Sequence, residues 1–271
     1  MGKAMTTHEN SILAHTSEIV VRHLGIGEDG PGQPRFRSKK VGLSLFEMPP
    51  AGFNCVSMLD EILSQIERNF LARKAVRPPS AQNWRFEKKL EISPENKSPE
   101  KTLEKTIARI AGPDWVNQVP TSSGLSTSSN DKHRNVDLVY RREPLRYEFI
   151  ELKVGSDTPL YAAIEILLNG ALYIFARTHL SGGAPPVNAP LLAQHVHLRV
   201  LAPASYYERF QLRWLQTSIS GTLQEKVSTN SRLPDTMDFA FCKFPEGFQW
   251  PCSDDALLEA LNARSQVSWH N

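Results

Sequence analysis

Residues 135–154 read NVDLVYRREPLRYEFIELKV. Two runs rich in β-branched and aromatic residues flank a turn at Pro144, which predicts a hairpin with strands over 135–140 and 147–154. Along the second strand side chains alternate faces. Phe149, Glu151 and Lys153 share one face, and Glu148, Ile150, Leu152 and Val154 share the other. An acid and a base two residues apart on an otherwise apolar strand need an explanation, because such charges are rarely buried unless paired or bound to metal. A turn centred on Pro144 puts Asp137 directly opposite Glu151, with Cβ atoms about 4.5–5.5 Å apart. Two carboxylates so placed repel each other, and a divalent cation between them removes the repulsion. A hard cation such as Mg²⁺ prefers carboxylate oxygens and keeps several waters. Lys153 then stands where it would neutralise a phosphate oxygen or orient an attacking water. A register slip of one residue would separate Asp137 and Glu151 onto opposite faces. The plainer alternative is a Glu151–Lys153 ion pair on a water-facing sheet, with Asp137 a surface charge.

Around the hairpin the periodicities predict an α/β chain. Ser98 and Pro99 form an N-cap and first-turn pair opening a helix that runs to residue 111, on the apolar stripe Leu103, Ile107 and Ile110. A short strand follows over 115–120, then a Ser-rich loop over 121–130. After the hairpin come a long apolar helix over 158–178, a strand over 196–201, a helix over 205–227, a strand over 237–244 and a helix over 254–264. The core from residue 96 to 271 is thus a central mixed β-sheet flanked by helices, in the order αβββαβ with a C-terminal α, β, α added. Residues 1–95 read as an N-terminal extension, partly flexible over 1–40, with a helix over 56–75. A strand is expected over 84–92, where Trp84, Phe86, Leu90 and Ile92 mostly alternate.

The chain has 271 residues, a net charge of +2 and 40% hydrophobic residues, which suits a soluble globular protein. That charge permits a nucleic-acid partner without demanding one, so any basic footprint must be local. Cys55, Cys242 and Cys252 are far apart and without CxxC spacing, which fits free thiols in a reducing, cytoplasmic compartment. The apolar stretch over 162–176 carries Glu165 and Asn169 and falls short of the roughly 20 apolar residues a membrane span needs. A buried helix and no membrane association are expected.

Asp137, followed after 13 residues by Glu151-Leu152-Lys153, resembles the PD-(D/E)xK nuclease superfamily, the restriction-endonuclease-like proteins that include repair exonucleases and junction resolvases. The resemblance covers residues 99 to about 203, and Val136 stands where the motif name has Pro. It implies a Mg²⁺- or Mn²⁺-dependent nuclease acting on DNA, with RNA a less usual substrate. It implies Asp137 and Glu151 as metal ligands and Lys153 as the catalytic lysine. Many members add an acid on the first core helix. Glu100 and Glu104 both flank its stripe, and Glu104 is preferred because a first-turn carboxylate such as Glu100 is already favoured by the helix dipole. A solvated helix charge is an equal alternative. Glu165, Asn169 and Tyr173 line one face of the long helix. Glu165 is expected to approach the site. Asn169 and Tyr173 resemble a Gln-x-x-x-Tyr pair of the exonuclease branch, against the simpler reading of polar residues satisfied at a helix edge. Lys132, Arg134, Arg141 and Arg142 are candidate nucleic-acid backbone contacts, with solvated turn charges the commoner case, and Tyr173 is a further candidate nucleic-acid-binding residue. Cutting both strands of a duplex would call for a homodimer. A catalytically inactive nuclease-fold module for nucleic-acid or protein interaction is the competing expectation.

Overall fold

The computed structural model describes residues 11–26, 47–72, 83–122, 125, 131, 134–179 and 189–269. Six strands form one mixed sheet, ordered in space as in sequence. They are β1 (Trp115–Pro120), β2 (Asn135–Glu143), β3 (Arg146–Leu152), β4 (His195–Ala202), β5 (Thr236–Lys243) and β6 (Ser265–Gln266). The first three are antiparallel, β3 to β5 are parallel, and β6 returns antiparallel along β5. The helices are α1 (Thr16–His23), α2 (Cys55–Leu71), α3 (Pro99–Ile110), α4 (Pro159–Thr178), α5 (Arg213–Ser228) and α6 (Asp254–Asn262). From α3 to α6 the order of helices and main strands is the predicted one, and β6 is an addition to it.

Parallel neighbours need crossover helices. α4 links β3 to β4, α5 links β4 to β5, and both bury against the face carrying Phe149, Leu198, Val200 and Phe241. The other face carries Leu138, Ile150, Leu152 and Leu201, covered by Leu103 and Ile107 of α3 and by Leu257 and Leu261 of α6. β3 is therefore buried on both faces, which is why YEFIEL lacks a clean polar alternation. Local signals set the helix starts. The side chains of Ser98, Thr158 and Ser253 accept from the backbone N–H of Lys101, Tyr161 and Ala256 at 3.3, 3.1 and 3.3 Å.

The hairpin register depends on a bulge. Glu143 pairs with Arg146 across the two-residue loop Pro144-Leu145, but Arg141 pairs with Tyr147, so one residue of β2 is left over near Arg142. Beyond it Val139 pairs with Phe149 and Leu138 with Ile150. The next step sets Asp137 against Glu151. Without the bulge Asp137 would face Leu152 and point to the opposite side of the sheet.

Two expectations are corrected. Residues 84–92 join no strand ladder. Their backbone is held instead by the Asn117 side chain, which accepts from Lys89 N–H and donates to Lys89 C=O, both at 2.8 Å. Trp84 and Phe86 pack on Phe149 and Tyr147 while Leu90 and Ile92 stay exposed, so the alternation came from two anchored aromatics. The helix expected over 205–227 is broken. A single 3-10 turn at Ala204–Tyr206 precedes α5, and the Tyr207 hydroxyl between them donates to Val200 and Cys242 carbonyls at 3.0 and 2.9 Å. The N-terminal extension packs on the core through α1 and α2. Ile12, Leu24, Leu59, Ile62, Ile66 and Phe70 join the same buried cluster as α4. α4 is apolar on nearly all sides and so needs cover on its outer side as well as from the sheet. The apolar stripe of α2 supplies it. Among the described residues α4 is the one helix long and apolar enough to cross a membrane, and 83% of that apolar window is buried inside the protein. Residues 1–10 and 27–40 of the stretch expected to be partly flexible, and most of the Ser-rich loop, lie outside the described residues.

α4 approaches the sheet closely at Gly170. A Cβ there would sit 2.6 Å from Leu198 Cδ1 and 3.6 Å from Met237 Cε. Gly170→Val is expected to lower stability by about 2–3 kcal/mol through overpacking. Gly170→Ala should lower it less, because better helix propensity returns about 1 kcal/mol. Urea unfolding of the two variants checks both values.

Candidate active site

The site lies where β3 ends and the first turns of α3 and α4 converge. The Lys153 backbone N–H donates to Leu201 C=O at 3.0 Å, which carries the strand one residue past Leu152. Its Nζ lies 2.9 Å from Glu151 Oε1 and 2.7 Å from Glu165 Oε2. Glu151 and Lys153 side chains are 9% exposed and Glu165 32% exposed, so solvent reaches the cluster on the Glu165 side. The Tyr161 ring lies beneath the ammonium, 5.9 Å from Nζ to the ring centre. On the neighbouring strand Asp137 Oδ2 accepts from Leu152 N–H at 3.0 Å.

α3 brings two more acids. Glu104 is buried, and its oxygens accept from Asn117 Nδ2 at 2.7 Å and Gln118 Nε2 at 2.6 Å. Gln118 sits at φ 49°, an uncommon conformation for a non-glycine residue. This local break in β1 lets Val116 and Val119 enter one core cluster although they are three apart on a strand, while Gln118 turns to Glu104. Strain of this kind persists only where the surroundings hold it. Glu100 Oε1 accepts from Ser156 Oγ at 2.6 Å and from Val154 N–H at 3.3 Å, tying α3 to the β3–α4 loop.

Glu151 and Glu165 touch the ammonium, Asp137 and Glu100 feel its charge, and Glu104 feels that of Asp137; so many acids around one cation cannot all keep ordinary acid strength. Burial pushes the Asp137 carboxyl up to about 6, with Glu165 and Glu100 adding to it against the Leu152 N–H and Lys153. Burial and the neighbouring Asp137 and Glu165 charges hold Glu151 well above its usual range, in spite of Lys153. Glu104 rises to about 7, first through burial and then through Asp137. Burial also opposes the charge of Lys153, but Glu151 and Glu165 outweigh it and keep the ammonium protonated. For Glu100 burial is outweighed by Ser156, Val154 and Lys153, which leaves it a stronger acid than usual.

Asp137, Glu151, Lys153, Glu104 and Glu165 are thus brought to one end of the sheet. The basic residues are not. Arg141 makes a paired contact with Asp114 at 2.8 and 2.6 Å, and Arg142 an ion pair with Glu148 at 3.2 Å. Four residues of strand separate Arg141 from Asp137, about 13 Å at ordinary strand rise. Arg134 lies 3.5 Å from Asp131, and Lys132 is outside the described residues. Tyr173 is fully buried, edge-on to Trp84 and Phe149, and its hydroxyl donates to Pro190 C=O at 3.0 Å. That makes it a core residue, and Asn169 is buried in the same helix. Glu100, set aside on the sequence because the helix dipole alone accounts for a first-turn acid, joins the site through Ser156. Its spacing of four from Glu104 was the available signal.

Among the described residues no three His, Cys, Asp or Glu side chains converge as a ready metal cage. Asp137 and Glu151 are a pair, and a pair suits Mg²⁺, which is held through one or two carboxylates, waters and substrate phosphate. No protein-family model, curated protein or solved structure matches this chain.

The Glu104 shift fixes a pH dependence. A carboxyl that holds its proton more tightly folded than unfolded favours folding below its unfolded pKa. That stability is lost as pH rises through the folded value, here between about pH 4.5 and 7. In metal-free buffer Glu104→Gln should therefore gain stability relative to wild type on going from pH 4.5 to pH 8, by up to about 3 kcal/mol. Melting temperatures of the two proteins across that range test it; a constant difference between them would contradict the shift.

Proposed function

We propose that this protein is a divalent-cation-dependent nuclease of the PD-(D/E)xK, restriction-endonuclease-like type, hydrolysing DNA phosphodiester bonds. The observation that carries the reading is the placement of Asp137 beside Glu151 by the hairpin register, with Lys153 one face-step further along the same strand. The order α3-β1-β2-β3-α4-β4 and the acids of α3 and α4 support it. DNA is the substrate class the superfamily resemblance implies.

Asp137 and Glu151 are the residues that would hold Mg²⁺ or Mn²⁺. The raised proton affinity of both carboxyls, caused first by burial and then by neighbouring acids, fits that role, because a bound cation would offset the cost of holding both charges there. When bound, such an ion lowers the pKa of a water and offsets charge on the phosphate. The chain's own groups supply the rest. Lys153, freed from Glu151, donates to a phosphate oxygen or orients the attacking water. Glu165 keeps the ammonium aimed along the strand from the α4 side. Asn117 and Gln118 fix Glu104 where burial and the charge of Asp137 raise its proton affinity. The competing reading, an inactive module, takes its support from the Glu151–Lys153 ion pair, which occupies one of the two carboxylates.

Incubation of supercoiled plasmid and linear DNA with Mg²⁺ or Mn²⁺ is expected to give metal-dependent cleavage. Asp137→Ala and Lys153→Ala should each lose it by about 100-fold or more, with melting curves showing that both variants remain folded. Absence of cleavage together with absence of Mg²⁺ or Mn²⁺ binding in calorimetry would favour the inactive module.

A further inference from the structure

Tyr206 and Tyr207 are adjacent, their rings edge-to-face at 5.3 Å, and their hydroxyls differ. Tyr207 donates to two carbonyls and locks the end of β4 to β5. The Tyr206 hydroxyl is buried and has no hydrogen-bond partner among the described residues, and the residue is 7% exposed. A buried hydroxyl left unpaired is destabilising, commonly by more than a made hydrogen bond contributes, so native proteins avoid it outside functional positions.

Its place in the fold explains the exception. Tyr206 closes the 3-10 turn that follows β4 directly, with its N–H bonded to Pro203 C=O at 3.0 Å. β4 is the parallel neighbour of β3, and Lys153 is tied to Leu201 at the same sheet end. Both tyrosines belong to the core cluster on the α4 face, the face to which Glu151 and Lys153 point. The charges that act on the Tyr206 hydroxyl are those of Lys153, Asp157, Glu165 and Glu151. Ligands of parallel α/β sheets bind at this, the carboxyl end of the strands.

We propose that Tyr206 is a substrate-binding residue of this site, its hydroxyl donating a hydrogen bond to a non-bridging oxygen of the phosphodiester held by Lys153. The proposal rests on the nuclease reading. The phosphate enters on the Glu165 side, where solvent reaches the cluster, takes the place of Glu151 on Lys153, and meets the ammonium and the unpaired phenol together. The phenol stays protonated throughout, because burial holds its pKa far above neutrality. No bond to the tyrosine forms or breaks.

The test is Tyr206→Phe beside Tyr207→Phe in the full chain, with DNA and Mg²⁺ or Mn²⁺. Tyr206→Phe deletes a hydroxyl that no described residue hydrogen-bonds. It should leave the melting temperature unchanged or slightly raised and lower kcat/KM about 10- to 100-fold, the loss of one hydrogen bond to a charged group. Tyr207→Phe should do the reverse, losing stability with little change in kcat/KM of the folded fraction. Wild-type cleavage with an unchanged kcat/KM in Tyr206→Phe overturns the proposal and leaves the nuclease reading standing. A lowered melting temperature in Tyr206→Phe overturns it too, since the hydroxyl is then structural. No cleavage by wild type removes the nuclease reading and the proposal with it.

Discussion

The ammonium of Lys153, held between Glu151 and Glu165, is the contact on which this arrangement turns. A charged pair on the most buried strand of a sheet is stable only when every partner is within hydrogen-bond reach. β3 supplies two of the three groups from positions that share a face. α4 supplies the third, and can do so only because its first turn starts a few residues beyond the strand. The β3–α4 connection must then be short and fixed, and the Glu100 contacts to Ser156 and Val154 fix it from α3. A buried charge at the sheet end thereby couples three elements that the apolar core alone would leave free to slide.

The same constraint explains the polar lining of β1. Glu104 comes from the helix on the other side of the sheet, and its carboxylate would be very costly there without donors. Asn117 and Gln118 are those donors, and each does a second task. Asn117 holds the backbone at Lys89, while Gln118 Oε1 accepts from Asn135 at the start of β2. The outer strand, the extended segment over 84–92 and the hairpin are connected through the side chains that satisfy one acid. The excess of carboxylates over cations that results is a poor way to stabilise a fold. A divalent ion held as proposed would relieve it, and this is the physical sense of the nuclease reading.

The two ends of the hairpin are electrically distinct. At the turn, Arg141, Arg142 and Arg146 meet Asp114, Glu148 and Glu143 in ion pairs. At the other end the acids outnumber Lys153. On the sequence, the arginines around the turn were candidates for nucleic-acid backbone contacts. A hairpin folds back, so residues in the middle of such a segment lie farthest from the residues at its two ends.

Much of the architecture was legible in the chain because its signals are local. Capping residues at Ser98, Thr158 and Ser253, the apolar periods of α2, α3 and α4, and the alternation of β3 need only near neighbours to act. The register of Asp137 against Glu151 was also inferable from the turn at Pro144, although it is reached through a bulge at Arg142 that no residue there announces. What the sequence by itself determined is therefore the succession of elements and the pairing of the acids on the hairpin. Tertiary structure alone decided the rest. It set Glu104 on a buried pair of amides, placed Tyr173 in the core with its hydroxyl spent on Pro190, broke the chain after β4 so that Tyr206 and Tyr207 turn inward, and drew α2 into the core. Each of these depends on partners tens of residues away, whose distances are set by how the sheet stacks and not by any spacing along the chain.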